Sequence, residues 1–357
     1  MALQRNLPLY AESSLHDDYQ PFCQRAFINH AHTGLLFDKY VDTWGTDFAI
    51  QEPKADKPGS KRCFYDEILA FYKGQQNTLS KRLTTHHGRR ANLLQASRGK
   101  TLTAKTDWRF ISGLGVGHPF ETGFIWHRTL SVPYLPGSSV KGMVRAWAGQ
   151  WGGADEATVT RLFGPAGDEA RKCPDTGSLI VFDVLPVQVP KLELDIMNPH
   201  YGDYYSEKKD SHGNLIPPAD YLSPVPVFFI AVAAKTAFRF ALAPRRPHER
   251  EAAQADLTKG LELLGQALQI LGAGGKTAVG YGSMTYDPSA QPTDPLAEFK
   301  SWFEAQKFGA ANKGRHSEII DRLKTLPDIP AGKEFVKGRM ERRDCTERLW
   351  AFLNEAN

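Results

Sequence analysis

The chain has 357 residues, 41% hydrophobic, with 44 Lys and Arg against 40 Asp and Glu and a formal net charge of +4. That composition fits one large elaborated domain or two smaller ones, and a surplus this small does not by itself argue for nucleic acid. The most apolar stretch, Val225 to Ala234, is interrupted by Pro226 and stops at Lys235, so it is too short to span a membrane.

The opening M-A-L-Q-R-N-L-P-L-Y has no apolar core of signal-peptide length, and a cytoplasmic location is expected. Cys23, Cys63, Cys173 and Cys345 are far apart with no C-x-x-C pair, so reduced thiols are expected and no metal or cofactor. Leu36, Phe37, Tyr40 and Trp44 recur at helical spacing and predict a short helix, followed by a loop at Gln51 to Ser60. Helical periodicity returns from Tyr65 to Leu94.

From Ile68 to Thr106 there is no acidic residue, while Lys73, Lys81, Arg82, Arg89, Arg90, Arg98, Lys100 and Lys105 accumulate. A solvated face normally mixes signs, so this field predicts contact with a polyanion or an acidic partner. His86 and His87 are adjacent, and neighbours on a helix do not share a face, so the pair is a poor metal site.

Trp108 to Gly117 alternates and then dissolves into glycines, predicting a strand that enters a loop. A dinucleotide-binding register fails, because His118 and Phe120 stand where the third glycine is needed. P-G-S-S-V-K-G-M-V-R-A-W-A-G-Q-W marks a helix start, with Ser138 or Ser139 placed to cap it and Val140, Met143, Val144, Trp147, Ala148 and Trp151 on one apolar face. Lys141 and Arg145 lie four apart on its flank. Leu179 to Val189 reads as a strand with a bulge or edge position at Pro186, and residues 190–224 as a functional insertion. Strands follow through Val225 to Leu242, and then Leu257, Leu261, Leu264, Leu268 and Leu271 form a second amphipathic helix.

That helix runs into G-A-G-G-K-T-A-V-G-Y-G at Gly272 to Gly282. Glycines at this density suit a sharp turn whose N–H groups a phosphate can approach, or a tight turn with no ligand. A nucleotide-hydrolase P-loop is excluded, since Ile270 stands where its first glycine belongs. A last strand is expected over Val279 to Tyr286, and helices from Pro295 onward, as a docking cap or packed against the core. Strand, helix, strand, strand, helix, strand is the ferredoxin-like split βαβ order shared with RNA-recognition modules. The expected class is α+β: a ferredoxin-like (RRM-like) core with insertions over 106–288, and helical segments added over 1–105 and 289–357.

L-P-G-S-S-V-K-G-M-V-R at Leu135 to Arg145, together with the glycine loop, resembles the RAMP superfamily of CRISPR RNA-binding proteins. G-L-L-F-D-K-Y at Gly34, G-H-P-F-E-T-G-F at Gly117 and N-P-H-Y-G-D-Y-Y at Asn198 make it most similar to the sixth-subunit family of type III-B (Cmr) effector complexes. The resemblance spans about Ala31 to Tyr286. It implies a subunit bound to the CRISPR guide RNA near its 3′ end, beside other Cmr complex subunits (backbone RAMP and small helical ones), acting on target RNA in antiviral defence.

Under that resemblance, Ser138, Ser139, Lys141 and Arg145 form one jaw of a backbone clamp, and Gly274, Gly275, Lys276, Thr277 and Tyr281 the other. His118 is an expected hydrogen-bond donor to RNA, Tyr201 with Tyr204 and Tyr205 could stack on bases, and Arg89 and Arg90 extend the contact. No catalytic role is expected. The sibling that cleaves target RNA uses an aspartate in the first strand-to-helix loop, where this chain has only Glu121, expected to meet a neighbouring subunit, an arginine or the glycine loop. The alternative is a RAMP endoribonuclease, either metal-dependent through Glu121 or metal-free through His118, His127 or His200.

Overall fold

The computed structural model describes residues 31–41, 60–165, 176–219, 222, 224–286, 295–306, 308, 314–324, 326 and 329–355. Expectations for Cys23, Trp44, the loop at 51–59 and Cys173 lie outside these residues. Cys63 is a free thiol, and Cys345 is buried.

Helix α1 (Thr33–Lys39) starts at His32, whose ring accepts the Leu35 N–H, and buries Leu36 and Phe37. In α2 (Lys61–Gly74) the Ser60 hydroxyl accepts the Cys63 N–H, and Phe64, Tyr65, Ile68, Phe71 and Tyr72 face inward at i, i+4, i+7 spacing. The single periodic run expected from Tyr65 to Leu94 is two helices. The break falls at Gln75, whose amide donates to the Ala31 carbonyl at 3.1 Å, and α3 (Gln76–Ala96) follows.

The first strand lies earlier than expected. β1 is Lys100–Thr106, with Leu102, Ala104 and Thr106 inward, whereas Trp108 onward makes only an isolated bridge, Phe110 to Val232. An alternation carried by one leucine, one alanine and one threonine is too weakly apolar to stand out. After β1 come α4 (Gly137–Gln150) and α5 (Glu156–Phe163), the latter capped by Asp155. The expected strand at 179–189 is two short pieces, β2 (Leu179–Val181) and β3 (Leu185–Pro186), with Pro186 on an edge.

The stretch from 190 to 224 is not wholly an insertion. It opens with β4 (Leu192–Met197), then the one-turn α6 (Gly202–Tyr205) and a bridge between Lys209 and Leu215. β4 pairs with β5 (Val227–Val232) as a separate two-stranded sheet. β6 (Ala237–Pro244), α7 (Arg250–Ile270) and β7 (Met284–Tyr286) complete the core, the last strand being shorter than the expected Val279–Tyr286.

The main sheet runs β2-β6-β1-β7, antiparallel throughout, with β3 also on β6. The two central strands are thus the first of each strand–helix–strand half, which is the split βαβ order. Helices α4 and α7 pack on one another, linked by the Trp147 indole N–H to Gln266 at 3.1 Å. Between helices and sheet, Phe238, Phe240, Val144, Leu257, Leu264 and Leu268 are all buried. Leu261 is only partly buried, and Trp151 is 62% exposed, off the apolar face expected for it.

The C-terminal helices are α8 (Pro295–Gln306), α9 (His316–Leu323), α10 (Ile329–Arg339) and α11 (Glu347–Asn354). A docking cap or packing against the main core was expected, and of these the second is not seen in the apolar side chains of the described residues: Phe299, Phe303, Ile319, Leu323, Val336 and Leu349 close a hydrophobic cluster of their own. Among the described residues, no helix is long and apolar enough to cross a membrane.

Candidate nucleic-acid interface

The glycine loop leaves α7 with positive φ at Gly272, Gly274, Lys276, Gly280 and Gly282. Three main-chain bonds shape it: Ala273 N–H to the Gly282 carbonyl at 2.9 Å, Gly282 N–H to Arg109 at 2.7 Å and Gly275 N–H to Ile111 at 2.8 Å. A Cβ on Gly282 would sit 1.8 Å from the Ala273 oxygen, and one on Gly274 2.3 Å from the Ile111 oxygen. Gly282 therefore lets the two ends of the loop close on each other at Ala273, Gly274 lets the loop press onto residues 110–111, and Gly275 gives its N–H to the fold rather than to a ligand.

What the loop leaves outward is its tip. The N–H groups of Lys276, Thr277 and Ala278 donate to no partner among the described residues, ahead of a single 3₁₀ turn, Thr277–Val279. The Lys276 side chain is exposed, and its backbone is left-handed at φ 56°. For a residue with a Cβ that conformation costs about 1–2 kcal/mol. Strain of this kind concentrates at ligand clamps.

Tyr281 is fixed on the other side of the turn. Its hydroxyl donates to Asp195 Oδ2 at 2.7 Å, and Arg109 reaches the same oxygen through Nη1 at 3.0 Å and Glu193 through Nε at 3.0 Å. Lys191 closes the far end on Glu193 at 2.9 Å. Burial first, then the Asp195 carboxylate, push the Tyr281 phenol up to about 12. The Arg109 guanidinium also lies 5.1 Å from the half-exposed ring of Trp108. Sequence reasoning missed Arg109, Glu193 and Asp195. A usable signal was the alternation L-E-L-D on β4, which places both acids on one face.

The other expected jaw is the start of α4, and its cap is a correction. Pro136 holds the N-cap position with no side-chain cap, and the Asp183 carboxylate accepts the Gly137 N–H at 2.7 Å. Asp183 was free to do this because the chain brings β2–β3 across the helix start, so Ser138 and Ser139 are left exposed in the first turn. Lys141 is half-buried. Burial first, then the charges of Arg245 and Arg145, hold its ammonium below the usual lysine range, and among the described residues no carboxylate offsets them. Arg145 itself donates to the Gly164 carbonyl, and Arg245 to the Gly177 carbonyl at 2.9 Å. Among the described residues these three cations have no counter-charge, an arrangement that favours an anion. No hydrogen bond or ion pair joins the glycine loop to Lys141 or Arg145 among the described residues.

Other expected site residues are committed to the fold. His118 Nδ1 accepts the Phe120 N–H at 3.0 Å, so the proton sits on Nε2, which donates to the Phe37 carbonyl at 2.9 Å, and the ring stacks on Phe37 at 4.1 Å. Burial lowers its pKa. Arg90 turns inward to the Asp183 carbonyl and lies 5.7 Å from the Phe182 ring, while Arg89 is exposed. Tyr201 is half-buried; Tyr205 is 75% exposed beside Tyr204. Glu121, at φ 73°, pairs with Lys61 at 2.8 Å, not with an arginine or the glycine loop. Spacing did not reveal that the rings of His86 and His127 meet, 5.6 Å apart. Among the described residues, no group of three His, Cys, Asp or Glu could hold a metal.

Comparison with known proteins returns a family model, described as the RAMP superfamily, that matches residues 101–285. The CRISPR system Cmr subunit Cmr6 of Pyrococcus furiosus is 31% identical over 246 residues, covering 54% of this chain and 68% of that protein. The crystal structure of Cmr6 from Pyrococcus furiosus is similar at 27% identity, over 53% of this chain and 97% of that one, with a TM-score of 0.29. A chain in the cryo-EM structure of the Type III-B Cmr-beta complex bound to cognate target RNA matches at 18% identity, over 67% and 78%, with a TM-score of 0.43.

Proposed function

The chain belongs to the RAMP superfamily, and on that premise we propose that it is a non-catalytic, guide-RNA-binding backbone or capping subunit of a type III-B CRISPR effector complex. It holds the guide near its 3′ end, next to other Cmr subunits and the paired target RNA, in the cytoplasm.

The observation that carries this reading is the tip of the glycine loop, where an exposed lysine held left-handed begins a run of main-chain N–H groups with no partner among the described residues. Such a tip suits a phosphate and ignores the base, as a protein carrying variable guides requires. The cluster of Lys141, Arg145 and Arg245 supplies a second phosphate contact. Cleavage has less support, because Glu121 is engaged with Lys61 and His118 is neutral and packed.

The test is binding of the full chain to guide-type RNAs of several sequences across a salt series. Lys276→Ala is expected to weaken all of them about equally and to lower the salt slope by about 0.7, the share of one single-strand phosphate. A change in base preference would refute the phosphate role. Incubation with repeat RNA and with guide-complementary RNA, with and without magnesium, is expected to give no cleavage. Specific cleavage abolished by Glu121→Ala would overturn the non-catalytic assignment.

A further inference from the structure

A cleft of about 520 Å³ opens between the outer face of α3 and the turn after α9, sharing no residue with the glycine loop or the start of α4. Its charges are Lys81 and Arg89 from α3 and Lys324 from the C-terminal unit, with Thr84, Thr85 and Asn92 between them. The α3 residues recur at intervals of three and four, on the side away from the buried Leu79, Leu83 and Leu94. Among the described residues, no carboxylate lines the cleft. Among the described residues, Lys81 and Arg89 make no ion pair, and the Lys324 ammonium lies 5.6 Å from the Phe352 ring. Nor does α3 neutralise itself, since Ile68 to Thr106 contains no acid.

We infer that this cleft binds the phosphodiester backbone of single-stranded RNA, so that the C-terminal helical unit forms a second wall of the RNA path. The inference rests on the RNA-binding reading above. Chemistry favours RNA over an acidic protein. A protein partner would be anchored by apolar or aromatic side chains in the centre of the contact, and here the one aliphatic lining side chain, Leu326, is itself 8% exposed. Hydroxyls, an amide and three cations match phosphate and ribose oxygens.

The experiment uses the full chain and a single-stranded oligouridine, comparing wild type, the triple variant K81Q/R89Q/K324Q and Lys276→Ala over a salt series. Three lost phosphate contacts are expected to reduce the salt slope by about 2 and the affinity at 0.1 M salt by roughly tenfold to a hundredfold, with an unchanged far-UV spectrum and melting point. Wild-type affinity and slope in the triple variant, with weakened binding in Lys276→Ala, would overturn the cleft and leave the proposed function standing. A wild-type chain that binds no RNA overturns both. Loss of polyglutamate binding with RNA binding intact would assign the cleft to an acidic protein instead. Should the triple variant unfold, photocrosslinking of wild type to 4-thiouridine RNA decides: crosslinks within residues 80–92 support the inference, and their absence there refutes it.

Discussion

Alanine replacements at three glycines of one loop separate backbone geometry from packing. At Gly282, φ is 67° and the new Cβ would lie 1.8 Å from the Ala273 oxygen. That oxygen belongs to the main chain and cannot rotate aside. Relief requires opening the turn held by the Ala273 to Gly282 and Gly282 to Arg109 bonds, each worth about 1 kcal/mol net. Left-handed backbone adds about 1–2 kcal/mol for any residue with a Cβ. The sum is about 3–4 kcal/mol, a fall in Tm on the order of 10 °C for a domain of this size. Gly280 shares the positive φ, 97°, but has nothing within 4 Å of its Cβ position, so Gly280→Ala should cost only the backbone share, about 1–2 kcal/mol. Gly275, with ordinary contacts and no positive φ, should change stability by less than about 0.5 kcal/mol. Urea midpoints and thermal melts of the three variants make the comparison. Equal losses at Gly282 and Gly280 would refute the reasoning, because the loop would then be yielding and its closure on Ala273 would not be what excludes a side chain.

Other predictions concern ionisation. Because the Tyr281 phenol is held at about 12, folding is favoured by its neutral form up to about pH 10, and that contribution is lost as pH rises through 12. Asp195→Asn should bring its titration, followed by absorbance near 295 nm, back toward the ordinary tyrosine value; an unmoved midpoint would rule out Asp195 as a cause. Tyr281→Phe should destabilise by about 1 kcal/mol, through loss of one hydrogen bond to a part-exposed carboxylate. His87 is held down at about 4, chiefly by burial, with Nε2 donating to the Pro186 carbonyl and Nδ1 buried without a partner. A depressed folded pKa means its contribution is full above about 6.5 and lost as pH falls toward 4. Wild type should therefore lose Tm steadily across that window, and His87→Gln should lose less. A parallel pair of Tm profiles would show that protonation of His87 is not responsible.

Periodicity and glycine content carried much of the fold. The leucine stripe of α7, the apolar face of α4 and the strands at 227–244 are legible because one buried face repeats at 3.6 or 2 residues within a short window. β1 escaped for the same reason in reverse, since Ala104 and Thr106 bury little apolar surface. The split of α2 from α3 escaped because it depends on Gln75 reaching Ala31, 44 positions away.

By itself, then, the sequence determined the two core helices α4 and α7, the family resemblance, the acid-free basic stretch and the existence of a glycine turn before the last strand. Only the tertiary structure decided what each site residue does there. It turned His118 and Arg90 inward, gave the cap of α4 to Asp183 and tied Tyr281 to Asp195. The physical reason is range. A helix or turn is set by neighbours within a few residues, whereas the partners of Tyr281 and Arg109 lie 86 positions distant and meet only once the two sheets have formed. The same closure presses Gly274 and Gly282 against the chain and leaves Lys276 facing out.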